Sequence, residues 1–536
     1  MKKLYPFSIL LAALFSLPVA AQKSAKPNIL FIAVDDLKPI LGCYGNSLVK
    51  TPNIDRLAQM GTVFLNNYCQ QSVCGPTRAS LMTGMRPDYT KVWDLKTQMR
   101  DVNPDIVTIP QYLISQGYTT SGVGKIYHPS SAIDRIDPVS WSVPYLEADA
   151  KDYANGLGKP ANSQYQKPEN KQMISNNAGS KNADAKGGEK DEDAPTSNKK
   201  GPSTECIDVP DHAYNDGVYA LKAKQQIIKL AREKAPFFMA VGFHKPHLPF
   251  VAPKKYWDLY NRADMPIAAF QEHSKDGVEI AYHKSSELRN YPDIPDQATL
   301  PGDQLRIGLK IDKQKELIHG YYAAVSYMDA QVGILLNTLD SLGILKNSVV
   351  VLWGDHGWHL GDHDLWEKHT TFEQANRSPL LIAAPGMKAG SSTALSEHVD
   401  IFPTLCQLAG VPVPTNLAGK SLVPVLKNKT AAVKDFAMSQ YYRSLSAAEA
   451  KRLGYTERKM WGYSMRTDKF RFVMWMNDFT STQSFSPNKV YALELYDFEK
   501  DPGETVNVAN DQRYAKDKDM LYAKMVDFFK SQVQPN

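Results

Sequence analysis

Cysteine is scarce in this chain: Cys43, Cys69, Cys74, Cys206 and Cys406 are the only five among 536 residues. That excludes a disulfide framework of the kind that holds small secreted domains together. Most of the five are expected as buried thiols, and Cys43–Cys69 is the one pairing worth considering. Charge of one sign is also lacking, with 62 Lys and Arg against 57 Asp and Glu, a net +5. So small an excess carries no electrostatic footprint of nucleic-acid binding and only mildly favours a polyanionic substrate. No apolar run beyond the N-terminus is long enough to span a membrane, and no internal repeat is visible.

What is present begins at the N-terminus. Met1-Lys-Lys is a basic start, Phe7 to Leu17 a short apolar stretch, and Val19-Ala-Ala21 a run of small residues. Together these read as a secretory signal over 1–21, with Gln22 as the first mature residue. The apolar stretch is too short for an uncleaved anchor, and no cysteine follows it for lipid attachment. An exported, periplasmic or secreted protein is expected, with a mature charge of +3 once Lys2 and Lys3 are removed.

Asn28-Ile-Leu-Phe-Ile-Ala-Val34 is a continuous apolar run that ends in Asp35-Asp36, as a strand buried on both faces of a parallel sheet does. Similar runs are Thr119–Val123, Phe237–Val241, Ser348–Trp353 and Leu380–Ala384. Helical patterns lie between them, over Pro52–Met60 and Leu317–Leu342. Alternating elements predict an α/β domain over 22–425, its sheet sandwiched by helices. Residues 151–204, rich in Lys, Asn, Gly, Asp and Ser, read as a low-complexity, solvated insertion. From 426 to 536 the strands at Trp461–Arg466, Lys469–Met476 and Glu494–Asp497, then a helical pattern over Tyr514–Val533, predict a smaller α+β subdomain with an antiparallel sheet.

Two apolar strands end in hard ligands: Asp35-Asp36 and Asp355-His356. Carboxyl ends of strands in a doubly wound sheet converge on one edge, where these groups would surround a divalent cation. Oxygen-dominated ligation favours Ca²⁺ or Mg²⁺ over Zn²⁺. Either pair alone is better read as a helix cap or a turn; the two together, in a chain that also holds Cys74-Gly-Pro-Thr-Arg78, favour a metal. His356, His359, His363 and His369 match no zinc spacing. Apart from His356 they are expected on loops or the surface, and zinc is a minor alternative. Lys125 and His128 follow one strand, His244 another, and Lys368 lies twelve residues beyond His356. Cations and imidazoles in such places suit the cleavage of an anionic ester.

Cys74-Gly-Pro-Thr-Arg78 has the form Cys-x-Pro-x-Arg, on which sulfatase-maturing enzymes oxidise cysteine to formylglycine. With Ala33–Leu37, Gly124–Pro129, Val241–His247, Gly354–Gly361, Trp366–Lys368, Ser439–Tyr441 and Gly462–Thr467, the chain resembles type I sulfatases of the alkaline-phosphatase superfamily. Within them it is most similar to the iduronate-2-sulfatase group and its bacterial members, from about Asn28 onward. The resemblance implies an alkaline-phosphatase-like, mostly parallel sheet. It implies that Asp35, Asp36, Asp355 and His356 hold one Ca²⁺ together with modified Cys74. It implies that Arg78 hydrogen-bonds the formylglycine, that Lys125 and Lys368 bind sulfate oxygens, and that His128 takes the hemiacetal proton. His244 is the first choice for the acid that protonates the departing sugar oxygen, and Lys368 the second. A hydroxyl of the hydrated aldehyde attacks sulfur and the alcohol leaves; the second hydroxyl then expels sulfate.

The expected substrate is a sulfated oligosaccharide or polysaccharide, attacked from its end at a 2-O-sulfated uronic acid. Sulfated glycans of fucan, carrageenan or ulvan type, phosphoesters, and glycan binding without turnover are the alternatives. Trp358, Tyr441, Arg443 and Arg466 are further candidates for substrate contact, and packing is an equal reading of each. A sulfatase-maturing enzyme is the one protein partner implied.

Overall fold

The computed structural model describes residues 26–154, 165–179, 201–233, 235–294, 305–477 and 485–532. The signal assigned to 1–21 lies outside the described residues.

Fifteen strands are described. The main sheet holds β1 (Asn28–Val34), β2 (Thr62–Tyr68), β3 (Thr119–Gly124), β5 (Phe237–Phe243), β7 (Ser348–Gly354), β10 (Leu380–Ala383) and β11 (Gly390–Glu397). Two short pairs stand apart, β4 (Thr204–Ile207) with β6 (Phe250–Pro253), and β8 (His359–Leu360) with β9 (Trp366–Glu367). The main sheet runs in the order β11-β2-β10-β7-β1-β5-β3. Only β10 opposes its neighbours; every other pairing in the sheet is parallel. β1 is central, in register with β7 on one side and β5 on the other.

Alternation along β1 explains its unbroken apolar sequence. Leu30, Ile32 and Val34 enter one core with Val325, Met328, Val332 and Leu336 of the long helix Ile311–Ser341. Ile29, Phe31 and Ala33 enter the core on the opposite face with Leu81, Met82, Ile401 and Phe402. Both faces are covered, so a polar side chain anywhere in β1 would be buried without water to bond it.

A second, antiparallel sheet follows the order of the chain: β12 (Ala437–Ser444), β13 (Lys459–Arg466), β14 (Phe470–Asn477) and β15 (Val490–Asp497). Leu521, Met525 and Phe529 of the helix Ala515–Ser531 pack on one face, against Phe472 and Met474. The other face sends Val473, Trp475 and Tyr496 against Ile280, Leu365 and Phe372. The C-terminal sheet therefore backs the segment that carries Lys368.

Three expectations need correction. Within the segment read as a solvated insertion, Pro168–Gly179 is helical. Tyr165 and Ile174 are buried against Val251, Trp257 and Tyr327, while the Glu205 carboxylate accepts from the Gln166 N–H at 2.6 Å and from Asn170 Nδ2 at 2.7 Å. Two apolar anchors and one carboxylate suffice to dock a polar sequence. Cys43 and Cys69 form no disulfide, and all five cysteines are free thiols. His359, His363 and His369 are buried, not superficial. His359 Nε2 lies 3.0 Å from Thr370 Oγ1, the His363 ring stacks on Phe372 with centroids 4.4 Å apart, and His369 Nδ1 lies 3.2 Å from Glu367 Oε2. Aromatic and polar packing partners account for them, and none joins a metal-competent group among the described residues.

Candidate active site

The carboxyl ends of β1, β7, β3 and β5 open on one edge of the main sheet, and each delivers functional side chains there. The β1 end is pinned to its neighbours: the Asp35 N–H donates to the Phe243 carbonyl and the Asp355 N–H to the Val34 carbonyl, both at 3.1 Å. Asp36 turns the chain with a left-handed φ of 55°, and the Asp355 carboxylate accepts from its N–H at 2.9 Å. Tyr321 of the long helix donates its hydroxyl to the Asp36 carbonyl at 2.6 Å. β3 and β5 approach closely where both carry glycine: a Cβ on Gly124 would lie 2.1 Å from the Gly242 carbonyl oxygen. That contact lets the Lys125 N–H reach the same carbonyl at 2.9 Å.

Cys74 starts the helix Cys74–Thr83, every residue of which is buried. Its Sγ lies 3.3 Å from His356 Nε2 and 3.9 Å from Asp36 Oδ1. His356 Nδ1 faces the Gly357 carbonyl at 2.9 Å. A carbonyl only accepts, so Nδ1 carries the proton and Nε2 presents a lone pair toward the thiol. Burial, aided by the Asp35 charge, pushes the Cys74 thiol well above its usual range. The unmodified residue is thus a neutral thiol and a poor nucleophile.

Ligand atoms of Asp36, Cys74, Asp355 and His356 all lie within 4.8 Å of one another, and all four residues are buried. Asp35 belongs to an overlapping group with Asp36 and His247. Burial drives Asp36 well above the usual carboxylate range, against the pull of Lys368, with Asp35 adding to the rise. For Asp35 burial acts in the same direction, but Lys125 and Arg78 outweigh it and hold the carboxyl well below that range. A compact, dehydrated set of carboxylate oxygens, one imidazole lone pair and one position for a modified cysteine fits a hard divalent cation.

Arg78 is fully buried. Its guanidinium bridges Asp35 and Asp355, each at 2.9 Å, and also donates to the carbonyls of Lys125 and Ile126. It orders these two carboxylates and ties β3 to them. Lys125 Nζ stands 2.6 Å from Asp35 Oδ2, and Lys368 Nζ 3.3 Å from Asp36 Oδ2. The Ser130 N–H donates to His128 Nδ1 at 3.4 Å, and Ser130 Oγ lies 3.2 Å from the same nitrogen. Burial, reinforced by Lys125, pushes this imidazole down to about 2, so it is neutral.

Three residues of the site were not found from sequence. Asp216 takes the N–H of His244 at 2.9 Å and that of Lys245 at 2.8 Å, and its Oδ1 lies 3.7 Å from His244 Nδ1. His247 Nε2 is 3.7 Å from Asp36 Oδ2 and 3.2 Å from Glu287 Oε1. Glu287 in turn pairs with Lys368 at 2.8 Å. His247 stands three residues after His244 beyond the same strand and could have been singled out on that ground; Asp216 and Glu287 carry no local signal.

The four substrate candidates part company. Trp358 is completely buried against Phe250 and Tyr321, with the Lys368 ammonium 5.0 Å above its ring, so it supports Lys368 from below and touches no substrate. Arg466 pairs with Glu373 at 3.2 Å between the second sheet and the main body, away from the cluster. Tyr441 and Arg443 are half-buried on β12, and Arg443 donates to the His369 carbonyl at 3.4 Å, one residue past Lys368.

Comparison with known proteins agrees with this geometry. Residues 27–411 match the family model described as Sulfatase, and 361–531 match the model described as N-sulphoglucosamine sulphohydrolase, C-terminal. Iduronate 2-sulfatase of Mus musculus is 32% identical, over 95% of this chain and 96% of its own. A structure solved with D-glucosamine-2-N,6-O-disulfate as its substrate superposes with a TM-score of 0.69 at 24% identity, covering 95% of this chain and 98% of the other. The phosphonate monoester hydrolase of Agrobacterium radiobacter gives 0.67 at 23% identity, with 95% and 96% covered. The fold is the alkaline-phosphatase-like one of sulfatases, a mixed and mostly parallel sheet between helices followed by a C-terminal sheet and helix.

Proposed function

Because this chain belongs to the sulfatase family and is a sulfuric ester hydrolase, we propose that it is exported and removes sulfate from sulfated saccharides, acting from the chain end on 2-O-sulfated uronic acid. The observation that carries the reading is the meeting of Cys74 with Asp36, Asp355 and His356, flanked by Lys125 and Lys368, at one sheet edge. The resemblance over nearly the whole length to an iduronate 2-sulfatase supports the choice of sugar.

Asp35, Asp36, Asp355 and His356 would hold Ca²⁺ beside residue 74. Formylglycine at 74 would supply a hydroxyl nucleophile in its hydrated form, and the cation would polarise it. The chain's own residues do the rest. Lys125 and Lys368 bind the sulfate oxygens and offset their charge. Arg78 keeps Asp35 ionised and fixes Asp35 and Asp355 in place. His128 accepts the hemiacetal proton, and His244 gives one to the departing sugar oxygen.

Peptide mass spectrometry across Cys74, on protein from its native host, tests the reading first. A residue lighter by roughly 18 Da is expected, the change from thiol to aldehyde. An unmodified thiol, in a host that matures other sulfatases, would sink it. Relative turnover of aryl sulfate and aryl phosphate then separates this reading from the phosphoester hydrolase that the phosphonate hydrolase fold also accommodates.

Chelation provides a check independent of turnover. Without a cation, Asp35, Asp36 and Asp355 are packed together in a dry site and repel one another. Ca²⁺ at a hundred times its dissociation constant should stabilise the fold by about 2.7 kcal/mol, read as a rise in melting temperature of the chelated protein. No shift with Ca²⁺ would remove the metal from the account.

A further inference from the structure

Lys368 sits in a backbone that does not hold itself. Glu367 and His369 on either side of it have left-handed φ values of 86° and 56°, which side chains other than glycine seldom adopt. Segment 283–288, some eighty residues earlier, grips this stretch along its length. The Glu367 carboxylate accepts from the Glu287 N–H at 3.0 Å, and Ser285 Oγ accepts from the Trp366 N–H at 3.1 Å. The Ser285 N–H donates to His283 Nδ1 at 2.9 Å; that makes Nε2 the donor to the Lys368 carbonyl, 3.0 Å away.

Glu287 adds a contact of another kind. Its carboxylate, in a residue 4% exposed, sets Oε2 2.8 Å from Lys368 Nζ. Lys368 has a second carboxylate partner in Asp36, but Asp36 is also one of the four residues grouped to hold a cation. Once a cation claims the Asp36 oxygens, Glu287 is the carboxylate left to aim a long, flexible ammonium side chain.

We propose that Glu287 is the positioning residue of the sulfate pocket, holding Lys368 in place through its carboxylate. It touches neither sulfur nor leaving group and acts through Lys368. The inference rests on the reading of Lys368 as a sulfate-binding cation.

The test is steady-state kinetics of the matured full-length protein on an aryl sulfate, with inorganic sulfate as inhibitor. Wild type, Glu287→Gln, Glu287→Asp, Lys368→Ala and the Glu287→Gln/Lys368→Ala double variant are compared. Glu287→Gln should lower kcat/KM by about 10- to 100-fold, the usual effect of losing such a supporting contact. Inhibition by sulfate should weaken by about tenfold, as for a lost hydrogen bond to a charged group, with Glu287→Asp recovering part of both. In the Lys368→Ala background, Glu287→Gln should add less than about threefold, because the residue through which it acts is gone. A merely structural glutamate would instead multiply its loss onto that of Lys368→Ala, and that result overturns the proposal. So does a Glu287→Gln variant with wild-type kcat/KM and wild-type sulfate inhibition. If Lys368→Ala itself leaves both quantities unchanged, the sulfate-binding reading of Lys368 fails first, whatever Glu287 does.

Discussion

Replacing Cys74 by alanine should abolish sulfate-ester turnover, by at least about 10⁴-fold, as removal of a covalent nucleophile does in other hydrolases. The fold should survive. The residue is 3% exposed at the start of a buried helix, and the change removes one sulfur atom whose contacts are His356 and Asp36. The cost in stability is that of a small cavity, about 1 kcal/mol. Circular dichroism and the melting temperature check the second half of the expectation, and turnover of an aryl sulfate the first. Substantial remaining activity in a folded variant would remove residue 74 from the mechanism and transfer the nucleophile to another group. The neutral, buried thiol makes a further point. A cysteine held this far from ionisation is a poor nucleophile as a thiol, in keeping with the proposed formylglycine at this position.

The edge where these groups meet was legible because two rules act together. A central parallel strand must be apolar on both faces, so Asn28–Val34 and Ser348–Gly354 stand out as unbroken runs. The polar residues that end them must then lie at the carboxyl edge. The same reasoning drew attention to Lys125, His128 and His244. Sheet order was not legible. The register of Ile29 with Val349 and with Phe238 joins residues hundreds of positions apart, and no local pattern encodes that pairing.

Charge and burial in the region after β7 were misread for a related reason. Polar residues between Trp358 and Glu373 look like a solvated loop, yet nearly all are buried because the second sheet closes over them from far along the chain. Phe372 packs beneath His363, Arg471 donates to the Thr371 carbonyl at 2.9 Å, and Thr370 meets both His359 and Ser72. Trp358 and Arg466 suit either substrate contact or packing by residue type, and the packing alternative holds: the first is buried support and the second an ion pair between layers. Glu287 and Asp216 were invisible because a supporting carboxylate is defined by what it holds, and what it holds is elsewhere in the sequence.

Substitution of His244 by alanine should separate two classes of substrate. A departing sugar alkoxide is a strong base and needs a proton as the ester bond breaks, whereas an activated aryl oxide leaves without one. Loss of the acid should therefore cost about 10² to 10⁴-fold on a sulfated sugar, and less than about tenfold on an activated aryl sulfate. His244 follows β5 at the carboxyl edge, and its N–H is anchored on Asp216 at 2.9 Å. With 32% of its side chain exposed, His244 can take its proton back from solvent after each turnover. Lys368, the competing candidate, is 2% exposed and held between Glu287 and Asp36, a position suited to binding charge. Parallel kinetics of His244→Ala and Lys368→Ala on both substrates decide between them. Lys368→Ala should depress both substrates alike. Equal losses for His244→Ala would deny it the acid role, and selective loss in Lys368→Ala would give that role to the lysine.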